Sequence, residues 1–407
     1  MTIRVVICRS NPIAPDPRVE KIARALHSFG YQVSLLGWDR SGALPENATL
    51  ENRTGKGSDL SAGEPTIPIY RLPIVAPFGH GLANLPNLLR WQWGILGWLT
   101  RHRQDYDLIH ACDFDTILPA LYCKWRWGKK VVYDIFDFYA DHLRATPSWL
   151  KWLIRGLDIR AIGWSDALIL ADDSRWEQIT GVKPKLSAVI YNSPAQGLPP
   201  PHSYQDTQAA TPPHSYPNEE DGGGALRLAY IGLLQVERGL MEMLEVLHRR
   251  PTWNLDLAGF GGDEDKIRAV SESLPNVRWH GRVSYDRALD LSRAADVLFA
   301  TYDPAIPNHR YSSPNKVFEA MMLGKPIIVA HSTNMDRIIQ QAKCGVVVEY
   351  GNIADLEAAL LGLQKDPDLR RHLGENAYQA YRTTYSWEEM EKRLKTLYGQ
   401  VVERGAP

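Results

Sequence analysis

One pattern constrains the fold of this 407-residue chain more than any other: short apolar runs alternate with segments of helical period. In the first half the runs fall at 3–8, 31–37, 107–111, 130–134, 167–171 and 187–191, with helical patterns at 17–29, 84–103, 115–126 and 148–163. In the second half the runs fall at 226–232, 253–259, 277–281, 296–301, 326–330 and 345–349. The helical patterns there are 239–249, 263–273, 285–294, 315–323, 334–343, 353–364, 367–383 and 386–404. Alternation on this spacing makes βαβ units and parallel sheets covered on both faces. It breaks once, between 195 and 225, where Pro199-Pro200-Pro201, Pro212-Pro213 and Gly222-Gly223-Gly224 stand among few apolar residues. Such a stretch buries too little to order itself and reads as a linker or disordered insertion. The expected organisation is α/β: a domain over 1–194, the insertion 195–225, a second domain over 226–385 and a closing segment 386–407. Trp387, Met390, Leu394 and Leu397 give that last segment one apolar face, which is expected to pack back on the first domain.

Composition narrows the function. Lysine plus arginine total 46 against 47 acidic residues, so no global electrostatic case exists for nucleic acid. Cys8, Cys112, Cys123 and Cys344 are scattered and form no C-x-x-C, which suggests reduced, buried thiols. The opening run Ile3–Cys8 is too short for a signal peptide, and no apolar stretch is long enough to span a membrane. The expected location is the cytoplasm.

Ligands of open parallel sheets sit at the carboxyl ends of the strands, so the strand-to-helix loops carry the functional signal. In Ser312–Met321, Ser313 followed by Pro314 reads as an N-cap with proline at N1, and Gly324 suits the helix end. Lys316 falls in the first turn, where a cation has the wrong sign for the helix dipole unless an anion binds there. Asn315 and Glu319 are four apart and share a face, and Glu319 can accept hydrogen bonds from a diol such as a ribose. The same spacing also suits an ordinary exposed Lys–Glu pair. In the loop Gly232–Gly239, Arg238 beside a helix start is a candidate diphosphate clamp, with Gly239 allowing close approach. Gly259-Phe260-Gly261-Gly262 begins like a dinucleotide fingerprint, but Glu264 breaks it, so it reads as a tight turn.

Taken together these loops resemble glycosyltransferase family 4, of the GT-B fold. The resemblance rests on Tyr230-Ile231-Gly232…Arg238-Gly239-Leu240, Leu257–Gly261, His280-Gly281-Arg282-Val283 and, most specifically, Ser313-Pro314-Asn315-Lys316…Glu319 through Pro326. Asp16-Pro17-Arg18-Val19 and Val132–Asp137 extend it into the first half. It implies two Rossmann-like parallel-sheet domains facing across a cleft. Glu319 matches the second glutamate of the E-x7-E motif, which holds the ribose. Arg238 matches a contact to the donor diphosphate, and Gly281 and Arg282 match the segment that recognises the base. Gly232, Gly259, Ser313, Asn315 and Lys316 complete the expected donor site. No metal or other cofactor is expected. Three positions depart from the family: Tyr311 replaces the first glutamate, Leu233 replaces an arginine, and Phe136 stands where a histidine is often found. Lys316 can replace the arginine's charge, while the acceptor-side group is left open among His110, Asp113, Asp134 and Asp137, with Asp16 and Arg18 nearby. Arg238, Lys316 and Asp137 are the catalytic candidates.

The expected reaction moves a hexose, from UDP by family frequency, to a hydroxyl of a glycan or lipid-linked glycan in polysaccharide biosynthesis, with retention. Segments 84–103 and 148–164 combine tryptophans with Arg90, Arg101, Arg103, Lys151, Arg155 and Arg160. Such helices can lie peripherally on the inner face of a membrane, or can simply cover the first sheet. Three other readings stay open: a catalytically silent GT-B protein, a two-lobed solute-binding protein, and a GT-B sugar-nucleotide epimerase.

Overall fold

The computed structural model describes residues 2–50, 66–77, 84–143, 146–195 and 225–404, so all but the two ends of the Pro/Gly-rich segment 195–225 lie outside the described residues. The chain forms two units, Met1–Tyr191 with Met390–Pro407, and Asn192–Glu389.

The first unit runs β1 (Arg4–Arg9), α1 (Pro17–Ser28), β2 (Gln32–Asp39), β3 (Asn47–Leu50), β4 (Ile67–Pro73), α2 (Leu85–Arg101), β5 (Leu108–Cys112), α3 (Phe114–Trp127), β6 (Lys130–Ile135), α4 (Tyr139–His142), α5 (Ser148–Trp164), β7 (Ala167–Leu170) and β8 (Ser187–Val189). Its sheet has the order β3-β4-β2-β1-β5-β6-β7-β8. Every pairing is parallel except β3 against β4. The central strands are buried on both faces, which is why they appear in the sequence as unbroken apolar runs. Trp91 and Trp98 of α2 enter the core with Ile95 and Leu99, and Trp91 stacks on Trp38 with centroids 5.1 Å apart.

The second unit runs β9 (Arg227–Leu233), α6 (Leu240–Arg249), β10 (Asn254–Phe260), α7 (Glu264–Ser271), β11 (Val277–Gly281), α8 (Tyr285–Ala294), β12 (Val297–Ala300), α9 (Pro307–Arg310), α10 (Asn315–Met322), β13 (Ile327–Ala330), α11 (Asn334–Ala342), β14 (Gly345–Val348), α12 (Ile353–Lys365) and α13 (Pro367–Ala380). Its sheet, β11-β10-β9-β12-β13-β14, is parallel throughout.

The last helix, α14 (Trp387–Glu403), contributes Met390 onward to the first unit. Its Leu394, Leu397 and Val401 are buried, and Tyr398 meets Tyr31 edge-on at 5.6 Å. The four cysteines are free and buried. Among the described residues no helix is long and apolar enough to cross a membrane.

Candidate donor and acceptor sites

Strand order locates the first site. In the second sheet β9 lies between β10 and β12, so the chain leaves it in opposite directions and opens a crevice where the β9 and β12 loops part. Tyr230, near the end of β9, is buried and donates its hydroxyl hydrogen to the Leu233 carbonyl at 2.7 Å. The Lys316 ammonium nitrogen sits 3.3 Å from the centroid of that ring and 5.7 Å from that of Tyr302, just beyond β12. Arg238 reaches the same Tyr302: one guanidinium nitrogen donates to its hydroxyl at 2.7 Å, and the guanidinium carbon lies 4.5 Å from its centroid. Gln235 fixes the Arg238 Nε at 2.9 Å. The structure thus brings the two sequence-predicted cations together on one aromatic ring.

Their electrostatics differ. The Lys316 nitrogen is buried without a hydrogen-bond partner. Burial first, and the nearby Arg238 charge second, hold its pKa well below the usual lysine range, with only partial relief from Glu319. It is therefore not half of an exposed Lys–Glu pair. Gly232 makes this position available: a Cβ there would stand 3.2 Å from the amine.

Two local readings need correction. The cap position of α10 is Pro314, not Ser313, and no side-chain hydrogen bond caps that helix end. The helix begins one residue later than expected because Pro314 is extended, at φ −70° and ψ 151°. Ser313 and Asn315 are half-buried at the same end. Gly239 serves packing rather than ligand approach: it has φ +70°, and a Cβ there would lie 2.0 Å from the Thr301 hydroxyl oxygen. Gly324, at φ +63°, does terminate α10, and its amide and that of Lys325 bond back to Met321 and Ala320.

Glu319 lies one turn further along α10 and receives a hydrogen bond from the Tyr285 hydroxyl at the start of α8. Gly281 ends β11 with φ +63°, and the next residue, Arg282, places its guanidinium carbon 4.5 Å from the centroid of the exposed Phe260. The loop after β10 is closed by its own carboxylates. Glu264 accepts the Gly261 amide at 3.0 Å and Asp263 accepts the Val236 amide at 2.9 Å, so those amides are not free to cradle a phosphate. Gly259 lets β10 approach β9, since a Cβ would meet the Gly232 carbonyl oxygen at 2.0 Å.

The first unit has its own switch point, between β1 and β5. Asp16 caps α1 by accepting the Val19 amide at 3.2 Å, and also holds Asn11 and Arg9. Arg9 pairs with Asp113, whose other oxygen accepts the Phe136 amide at 2.8 Å. Burial raises the Asp113 pKa, and Arg9 opposes this only in part. Three acceptor-side candidates are removed from any ligand. Arg18 bonds Asp134 at 2.8 Å and the Ile190 carbonyl at 2.6 Å, while His110 lies between Asp134 and the Tyr398 hydroxyl, and all are buried. Burial would lift Asp134, but Arg18 and His110 outweigh it and its pKa falls. With Cys112, His110 and Asp134 form a cluster of metal-ligand types within 4.8 Å. It suits a metal poorly, because the carboxylate is already held by a guanidinium and burial pushes the thiol pKa well up. Asp137 is the most open of the acidic candidates, at 37% side-chain exposure, and pairs with Arg175.

Sequence reading gave no site role to Tyr230, Tyr302, Tyr285 or Asp115. Asp115, buried in the first turn of α3, has one oxygen without a hydrogen-bond partner, and burial followed by the Asp113 charge pushes its pKa up to about 6. Its signal was available: an acid inside a mostly apolar helix start, three residues past the end of β5.

Residues 14–180 match the family described as "Glycosyl transferase 4-like domain", and residues 219–380 match "Glycosyl transferases group 1". The chain is 26% identical over 192 residues to the D-inositol 3-phosphate glycosyltransferase of Corynebacterium jeikeium, covering 44% of each protein. It spans a little under half the length of the first curated relatives it matches, 46%, 44% and 47%. In fold it is similar to a sucrose-phosphate synthase from Thermosynechococcus elongatus, with TM-score 0.75 and 14% identity over 99% of this chain and all of that one. Anabaena HepE in complex with UDP and glucose gives 0.65 and 13%, over 98% of this chain and all of the other.

Proposed function

The chain belongs to the family-4-like glycosyltransferases of the GT-B fold, and from that premise we propose that it moves a hexose from a nucleoside diphosphate to a hydroxyl of a glycan or lipid-linked glycan, with retention. The observation that carries this reading is the convergence of Arg238 and Lys316 on Tyr302 at the switch point of the second sheet. Two cations beside a helix end without a side-chain cap suit a diphosphate leaving group, whose charge grows as the sugar bond breaks. Lys316 stands beside Gly232 and so takes over the role of the arginine that Leu233 replaces. Glu319, held by Tyr285, accepts the ribose hydroxyls, and the Arg282–Phe260 pair offers a flat surface to the base. UDP is the proposed nucleotide, on the fold likeness to a protein that binds it. These residues suffice for the leaving group without a metal. On the acceptor side, Asp137 and Asp113 remain as groups that orient or deprotonate the incoming hydroxyl.

Arg238→Ala is expected to lower turnover about 10²-fold or more, as for other lost electrostatic stabilisers, while the protein stays folded. Steady-state rates with UDP-hexoses test this, and unchanged turnover would remove the site. One observation favours a second reading, a donor-binding protein without transfer: Tyr311 stands where a glutamate would hold the sugar hydroxyls. That protein would bind UDP with the same dependence on Arg238, and would form no glycoside and hydrolyse no donor.

A further inference from the structure

The outer face of the first unit carries a surface that sugar transfer does not use. Helices α2, α3 and α5 each join a strand to one further along the sheet in the same direction, β4 to β5, β5 to β6 and β6 to β7, so right-handed crossovers place them on one face of the sheet, with α3 packed between the other two. Their inner residues cover the sheet. Their outer residues are apolar as well: Leu89 and Trp93 on α2, Tyr122 and Trp125 on α3, Trp149 and Trp152 on α5. The four tryptophans are 71%, 63%, 68% and 74% exposed. On α2 and α5 these residues recur at spacings of four and three, so each pair forms a stripe along its helix. Exposed tryptophans gathered on three neighbouring helices mark an interaction face.

Charge selects the occupant. Across the three helices the only acids are Asp115 and Asp158, and both are buried. Arg90, Arg101, Arg126 and Arg160 are all exposed. In a chain of net charge −1, these three helices therefore show exposed cations and no exposed acid among their tryptophans. A second copy would oppose like charges to like. An anionic bilayer meets both features, since indole rings settle at the headgroup level and each nearby arginine is drawn to the negative surface.

We propose that the face formed by α2, α3 and α5 docks the protein on an anionic lipid bilayer. The proposal stands apart from the sugar-transfer reading, because docking needs neither donor nor acceptor. The test is flotation of the full chain with vesicles of phosphatidylcholine alone, or with 30% phosphatidylglycerol, at low and high salt. Binding is expected to require the anionic lipid and to fall with salt. Trp149→Ser with Trp152→Ser is expected to weaken it about 10-fold or more. Arg90→Glu and Arg160→Glu should each weaken it about 5-fold or more, the equivalent of about 1 kcal/mol per basic charge at the surface. Melting temperature checks that each variant folds. Absence of binding to both vesicle types overturns the proposal, as does binding that ignores lipid charge or these substitutions. Self-association of the free protein that the tryptophan variant abolishes, without vesicle binding, overturns it in favour of a second copy.

Discussion

Lys316→Met separates what the amine does for function from what it does to stability. In the folded chain the amine is buried, lacks a hydrogen-bond partner and lies 3.3 Å from the centre of the Tyr230 ring. A desolvated cation on an aromatic face gains about 2 kcal/mol, whereas removing an ammonium from water costs several. Desolvation wins, and the depressed pKa agrees in direction. An unpartnered buried polar group costs about 1–3 kcal/mol, and methionine has similar length and fits an aromatic surface. The variant is therefore expected to be more stable than the parent, raising the melting temperature of the second unit by about 2–10 °C. The sign with pH follows from linkage. The unfolded chain keeps the lysine proton up to about 10.5, while the folded chain releases it earlier. Stability of the parent thus rises with pH through the window below 10.5, and the advantage of the variant shrinks there. At the same time the variant loses a charge for the leaving diphosphate, so turnover should fall about 10²–10³-fold and the UDP-induced rise in melting temperature should diminish. Scanning fluorimetry from pH 7 to 10, with and without UDP, and initial rates with a UDP-hexose read all three quantities. A variant that melts below the parent, or that turns over normally, would refute the reasoning.

Asp158 is buried and its pKa rises to about 7, mainly through burial, partly opposed by the Tyr133 hydroxyl. A raised carboxyl favours the folded state at low pH and disfavours it above, so stability should fall between about pH 4 and 7, by on the order of 4 kcal/mol for this group. Asp158→Asn should flatten that fall and raise the melting temperature at pH 8, whereas an unchanged pH profile would contradict the assignment. Gly239→Ala must place a methyl 2.0 Å from the Thr301 hydroxyl oxygen at a positive φ, which should destabilise the second unit by about 2–5 kcal/mol in urea titrations.

Much of this fold is visible in the residues. Val5, Val6 and Ile7 are buried on both faces of their sheet, so β1 shows as an unbroken apolar run, as do β5, β6 and β7. β3 and β4 escaped detection for the opposite reason. β3 is the short edge strand of its sheet, and β4, next to it, carries Pro68 and Pro73 and alternates in burial. The helices α4 and α9 are single turns, too short for a period to register. In the candidate donor site Lys316 was legible because a lysine in a first helical turn violates a local rule. Tyr230 and Tyr302 violate none, and only three-dimensional proximity to Lys316 gives them a role. His110 and Asp134 misled because strand-end polar residues often face ligands. What satisfies them is remote: Arg18 lies 116 residues from Asp134, and Tyr398 lies 288 residues from His110. No sequence window spans such a network.

The return of α14 to the first unit has a consequence for biogenesis. The ribosome completes Asn192–Glu389 as one uninterrupted stretch, whereas the unit begun before it lacks Leu394, Tyr398 and Val401 until that stretch has been made. The half that is made first therefore finishes last. Until then the His110–Asp134–Arg18 network waits without its closing hydroxyl, and a chain cut just before Met390 would keep every residue of the second unit but leave the first one open.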